Sequence, residues 1–93
     1  MQKPKLPITC PACTATLQVS QLTCPTCATA VTGTFSLPAL VQLPDEDQAF
    51  ILRFFLTSGS LKEMANVMGI SYPTVRNRLD DLIAKVKTLM PEL

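Results

Sequence analysis

Two Cys-x-x-Cys turns, Cys10-Pro11-Ala12-Cys13 and Cys24-Pro25-Thr26-Cys27, stand ten residues apart in a chain of 93 residues that has no histidine. This pattern constrains the chain more than any other feature. A unit this small builds a modest core and often needs a staple. Each turn can aim two sulfurs at one point while backbone amides support the thiolates. Two such turns supply four soft ligands, the set for one closed tetrahedral Zn²⁺ site. The predicted ligands are Cys10, Cys13, Cys24 and Cys27. The site is structural, because four cysteines leave no open coordination position and no acid or base stands beside them. Three readings compete. Two disulfides require an oxidising compartment. Iron accepts the same four sulfurs. A thioredoxin-type motif has one Cys-x-x-Cys in a βαβ setting, not two within 18 residues.

The chain changes character near its middle. Residues 1–43 hold Lys3 and Lys5 and no acid. They are rich in Thr, Val, Leu and Pro, which favours short strands and tight turns. Thr14 to Val19 outward and Gln21 to Thr23 back, turning near Ser20, predict a hairpin of about 15 Å at ~3.3 Å per residue. Ala30 to Leu37 predicts a third strand, with Gly33 as a bulge. The expected ribbon thus has three short antiparallel strands. The connector Leu37 to Pro44 carries Pro38 and Pro44, which resist helix extension. It is apolar and is expected to pack against a neighbour. The predicted domains are 1–43, ribbon and connector, and 44–93, helical.

The second half carries six basic and seven acidic residues at helical spacing. Pro44-Asp45-Glu46-Asp47 predicts a helix start, with proline first and acids on the positive end of the dipole. That helix should end near Thr57, before Gly59. Its apolar residues span roughly 240° of arc, too much for one partner. One side is expected on the helical core, the other on the ribbon or a second copy. Ser60-Leu61-Lys62-Glu63 predicts a capping box, and Gly69 a left-handed C-terminal cap. Ser71 then caps a third helix with Pro73 in its first turn. Leu61, Met64, Ala65 and Met68 should face Ile70, Val75 and Leu79 across the turn. Two short helices, a Gly-containing turn and apolar residues at fixed offsets form the grammar of a helix-turn-helix.

The stretch Lys62 to Leu79, above all Gly69-Ile70-Ser71-Tyr72-Pro73-Thr74-Val75-Arg76-Asn77-Arg78-Leu79, resembles bacterial helix-turn-helix regulators of the tetrahelical type. Sigma-factor region four and the quorum-sensing response regulators share that type. With the two cysteine turns and Phe35-Ser36-Leu37-Pro38, residues 8–90 resemble an uncharacterised bacterial family of zinc-ribbon plus helix-turn-helix proteins, catalogued as a domain of unknown function. The knuckles also resemble zinc ribbons, whose turns commonly read Cys-Pro-x-Cys-Gly. Here Thr14 and Ala28 stand in place of the glycine, which questions the turn geometry but not the ligand set. The resemblance implies a transcription-regulator role.

With Val75 and Leu79 inward, the third helix presents Ser71, Tyr72, Thr74, Arg76, Asn77 and Arg78 as candidate DNA contacts. Asparagine can read adenine, and arginine can read guanine or hold phosphate. The plainer reading pairs Arg76 with Asp80 and Arg78 with Asp81 as solvated ions. Asp80 and Asp81 also repel phosphate, and no clear basic stripe offsets them. The formal net charge is only +1, so no general pull on nucleic acid exists. Four thiolates and one Zn²⁺ would move it to about −1.

Val75, Leu79, Leu82, Val86 and Leu89 follow 4-3-4-3 spacing up to Pro91, which predicts a heptad seam. Phe54, Phe55, Leu82, Val86 and Leu89 are therefore expected to form a docking surface, first for a second copy and alternatively for a protein partner. A two-fold dimer would present two reading helices about 34 Å apart. Met1 to Pro7 lacks the apolar run of a leader, and no window reaches the ~18 apolar residues of a membrane span. The expectation is a soluble cytoplasmic protein. With no histidine, no Gly-rich phosphate loop and no paired carboxylates in an apolar setting, an enzyme is not expected. The leading reading is a small DNA-binding regulator of the α+β class. The alternative is an adaptor that binds the transcription machinery through the ribbon and the apolar first helix.

Overall fold

The structure is a computed structural model and describes residues 5–90. The readings that rest on the first four residues and on Pro91 lie outside the described residues. Two compact units follow one another, the first ending at Pro38 and the second starting at Ala39. The break falls earlier than the sequence predicts, because the connector belongs to the helices. Ala39–Gln42 forms a 3₁₀ turn, and Leu43 behind it is fully buried in the helical core. Gln48 Nε2 donates to the carbonyls of Leu43 at 2.8 Å and Val41 at 3.4 Å, which ties the connector down.

The ribbon unit contains β1 (Val19–Thr23) and β2 (Ala30–Phe35), paired antiparallel. The predicted third strand forms as β2, whereas the predicted first strand, Thr14 to Val19, is absent among the described residues, so the ribbon has two strands and not three. Residues 14–18 form no strand and make only an isolated bridge, Thr16 to Thr9, beside a 2.7 Å bond from Leu17 N–H to the Ile8 carbonyl. Ser20, the predicted turn, lies inside β1. The reason is conformational. Gln18-Val19-Ser20-Gln21 contains no Gly, Pro, Asn or Asp, and Ser20 alone is a weak turn former, whereas Thr14 (φ 64°) and Ala28 (φ 63°) adopt left-handed backbone. The chain therefore reverses at the cysteine knuckles, and the second knuckle is the β1–β2 loop. Gly33 does sit in a bulge: Gly33 and Thr34 oppose Ser20 alone, between the pairs Val19–Phe35 and Gln21–Thr32. The Phe35 ring covers Gly33 so closely that a Cβ there would come within 2.8 Å of it.

The helical unit contains α1 (Asp45–Leu56), α2 (Leu61–Met68) and α3 (Tyr72–Leu89). Pro44 is the N-cap of α1 and not its first residue, so the helix starts one position later than predicted, and the Pro44 carbonyl accepts from Asp47 and Gln48. Ser60 Oγ accepts from the Glu63 N–H at 3.1 Å. The reciprocal half of the box is replaced, since the Ser60 N–H donates to Thr57. Gly69 closes α2 in left-handed conformation (φ 68°), as predicted. Ser71 Oγ accepts from the Thr74 N–H to start α3. Leu43, Phe50, Leu61, Met64, Ala65, Val75 and Leu82 form the core, with Ile51, Phe54, Met68, Leu79, Val86 and Leu89 packed against it.

This packing corrects the predicted seam. Leu82 is 4% exposed and belongs to the same cluster as Leu43 and Phe50, so it is unavailable for docking. Val86, Leu89 and Phe54 are half-buried against that cluster. At 1.5 Å per residue α3 is about 27 Å long. It outruns α2, and its second half packs on α1 and the connector. Phe55 alone of the five predicted docking residues is exposed, at 76%.

Met64 and Val67 lie one helical turn apart on α2, the first fully buried and the second exposed. Met64→Ala should destabilise the helical unit by about 2–5 kcal/mol, whereas Val67→Ala should change it by about 0.5 kcal/mol or less. Urea titration followed by far-UV circular dichroism checks the contrast.

Candidate metal centre and nucleic-acid interface

Both knuckles have the same backbone wiring. In the first, the Cys10 N–H donates to Ala15 at 2.8 Å and the Thr14 N–H donates to Cys10 at 2.9 Å. In the second, Cys24 N–H donates to Thr29 at 2.8 Å and Ala28 N–H to Cys24 at 2.9 Å. Each turn therefore brings its two sulfurs to one side. No disulfide joins the four cysteines; Cys10 and Cys24 are half-buried, Cys13 and Cys27 exposed. Among the described residues, no three His, Cys, Asp or Glu side chains lie close enough together to hold a metal ion. The structure thus brings the four predicted ligands together as two pairs, each a half-site.

The chemistry of the pairs suits a soft divalent metal. The backbone amides of Cys13 and Ala12, then the Cys13 side chain, hold the Cys10 thiol below its ordinary value. The Ala12 N–H lies 3.4 Å from its Sγ. The Thr29 hydroxyl, 3.0 Å from Cys27 Sγ, then the Thr29 backbone and the Cys24 side chain, lower Cys27 likewise. Both shifts favour the thiolate, which is the form that binds metal. Thr29 is a contributor that the ligand spacing alone does not reveal. Its only signal is a hydroxyl two residues after a cysteine.

The six predicted DNA contacts have divergent fates. Ser71 and Thr74 are engaged in capping, their hydroxyls 2.7 Å apart. Arg76 Nε lies 3.5 Å from Asp80 Oδ1, both side chains more than half exposed, which is the predicted solvated pair. Arg78 does not meet Asp81. Its guanidinium lies 4.8 Å from the Phe50 ring centroid, and its Nη2 donates to the Glu46 carbonyl at 3.4 Å. Arg78 therefore braces α3 against α1, an arrangement favoured by cation–π attraction. Tyr72 and Asn77 are exposed. A second brace, missed from the sequence, joins Lys85 Nζ to Asp47 Oδ2 at 2.6 Å. Asp47 looked like a dipole acid only, because nothing local relates residues 38 apart.

This architecture defines a zinc ribbon followed by a helix-turn-helix. A family model described as the DUF2089 zinc ribbon matches residues 10–41, and the model for the domain of unknown function DUF2089, helix-turn-helix part, matches residues 43–88. The chain belongs to this family. No curated protein and no solved structure matches it at a significant level. Both the zinc-ribbon and the helix-turn-helix resemblance read from the sequence are thereby confirmed. Among the described residues, no helix is long and apolar enough to cross a membrane.

Two predictions follow from the knuckles. Left-handed backbone costs Ala28 about 1–2 kcal/mol, partly offset on glycine substitution by a looser unfolded chain. Ala28→Gly should stabilise the metal-loaded ribbon by up to about 1 kcal/mol and so raise its thermal midpoint, and Ala28→Val should lower that midpoint. Acidification protonates thiolates and releases metal. Because its hydroxyl lowers the Cys27 thiol, Thr29→Val should move the release midpoint to higher pH, read with a chromogenic zinc chelator.

Proposed function

We propose that the protein is a cytoplasmic, non-catalytic DNA-binding transcriptional regulator that acts as a homodimer. Its ribbon is held by one structural Zn²⁺ on Cys10, Cys13, Cys24 and Cys27. Four thiolates around the ion would join two preformed pairs and supply folding free energy on the order of 10 kcal/mol. That is large against a two-stranded sheet, which is marginal alone.

The observation that carries the DNA reading is the first half of α3. Gly69 and Ser71 set its start, Val75 anchors it in the core, and Tyr72, Arg76 and Asn77 remain exposed. This is the placement that lets the start of a recognition helix meet base edges in the major groove. Asn77 is the candidate base reader and Arg76 the phosphate or guanine contact. Ser71 and Thr74 build the helix end, whose N–H groups favour phosphate. Arg78 contributes indirectly, by fixing the angle of α3 on α1. Asp80 tempers the site, since it neutralises Arg76 in the free protein.

Selection from random duplexes tests the reading. Asn77→Ala should cost about 1–3 kcal/mol and relax preference at one base pair. Asp80→Asn should strengthen binding by freeing Arg76, and all binding should fall with salt. Failure to retain any sequence would overturn the proposal.

One observation favours a second reading, a protein-binding adaptor. The outer face of α1 carries exposed Leu52, Phe55 and Leu56, and monomers rarely leave such a patch uncovered. A co-purifying protein lost on Phe55→Asp but kept on Arg76→Ala would favour that reading.

A further inference from the structure

The outer face of α1 and the 3₁₀ turn before it form one apolar surface. Leu40, Leu52, Phe55 and Leu56 are 52%, 59%, 76% and 72% exposed. Together they leave on the order of 500 Å² uncovered, at the upper end for a monomer. A standard interface takes about 800 Å² from each partner, so this patch with its margins is of dimer size. The surface has both a projection and a recess. Phe55 and Leu56 stand out from the end of α1. Leu40, Gln48, Ala49, Ile51, Leu52 and Phe55 line an apolar groove of about 480 Å³ along it.

The order of residues around α1 is the second argument. At 100° per residue, Ala49, Leu52 and Leu56 fall within about 60° of arc. Gln48 and Phe55 flank them on one side. Glu46 and Arg53 lie on the other side, one heptad apart and both exposed. In an antiparallel pair of identical helices the two-fold axis keeps like edges together. Glu46 of one copy then faces Arg53 of the other, twice per dimer. The register that makes this match is centred between Ala49 and Phe50. It puts the small Ala49 side chain at the closest approach. The same register carries Phe55 of each copy to the Leu40 end of the other copy's groove.

We infer that α1 is the self-association surface, with a second copy of this chain docked antiparallel across Ala49. The interface is isologous, as closed two-fold dimers require. The opposite charges favour the antiparallel direction, since in a parallel two-fold pair unlike edges meet and Glu46 and Arg53 would face the Gln48 and Phe55 edge instead of each other. The Phe55 projections supply the largest single share of the buried apolar area. This differs from the seam first expected on α3, whose central Leu82 is buried within one chain. The inference deepens the homodimer part of the proposed function. Its readout is assembly and not DNA binding, so either can fail alone.

The test uses the full-length zinc-loaded protein and native mass spectrometry, supported by sedimentation equilibrium. Wild type should be a dimer at micromolar concentration. Phe55→Asp should be monomeric with an unchanged circular dichroism spectrum, because the residue lies outside the core. Glu46→Arg and Arg53→Glu should each weaken self-association at least tenfold. Mixed one to one, those two variants should form the heterodimer in preference to either homodimer, since one carries two cations on the edge and the other two anions. A monomeric wild type would overturn the inference and assign the face to the chain's own ribbon or to another protein. A dimer indifferent to Phe55→Asp, or variants that show no preference for each other, would overturn it equally.

Discussion

Each cysteine pair is closed by the same two backbone hydrogen bonds, one from the first cysteine's N–H and one back to its carbonyl. The ribbon depends on these turns. Apart from Leu37, its described residues are exposed or half-buried, so apolar burial contributes little to holding β1 on β2. The turns set chain direction, strand register and sulfur position together. Thr14 and Ala28 adopt left-handed backbone to make this possible, at a cost that glycine would avoid. A ligand that joins the two sulfur pairs acts on the whole unit, because the second knuckle is also the hairpin loop.

The helical unit is held in the opposite way. Seven buried residues from the connector and all three helices form one cluster, and no described side-chain polar atom is buried without a partner. The two contacts that brace α3 on α1 are charged and peripheral: Arg78 on Phe50 and Lys85 on Asp47. Such contacts contribute little stability at a surface, but they constrain the angle of α3. They also remove two of the unit's six cations from any role as mobile contacts to an anionic partner. With Arg76 beside Asp80, the electrostatic reach of the helix-turn-helix is local. Recognition would rest on shape and on a few polar side chains, not on a basic field.

Much of this architecture is legible in the sequence because it follows from local rules. The cysteine spacing marks both knuckles. Ser60, Gly69 and Ser71 mark the helix ends, and each cap or turn forms where its residue chemistry predicts. What the sequence misplaces is non-local. The Ser20 hairpin fails because strand pairing obeys the turn that exists, and that turn is the knuckle. The 4-3-4-3 seam of α3 looks intermolecular only while Leu43 and Phe50 are not known to lie against Leu82. The Arg78–Asp81 pairing loses to an aromatic ring 28 residues upstream.

The sequence by itself determines the two cysteine knuckles, the order ribbon then helices, and the boundaries of α2 and α3. These depend on residues within about one turn of each other. Only the tertiary structure decides which apolar residues are spent inside the chain and which remain outside. A periodic pattern states that a face will be buried, not against what. Here α3 spends its seam on α1 and the connector, so the face left over is on α1, and Phe55, not Leu82, meets the surroundings.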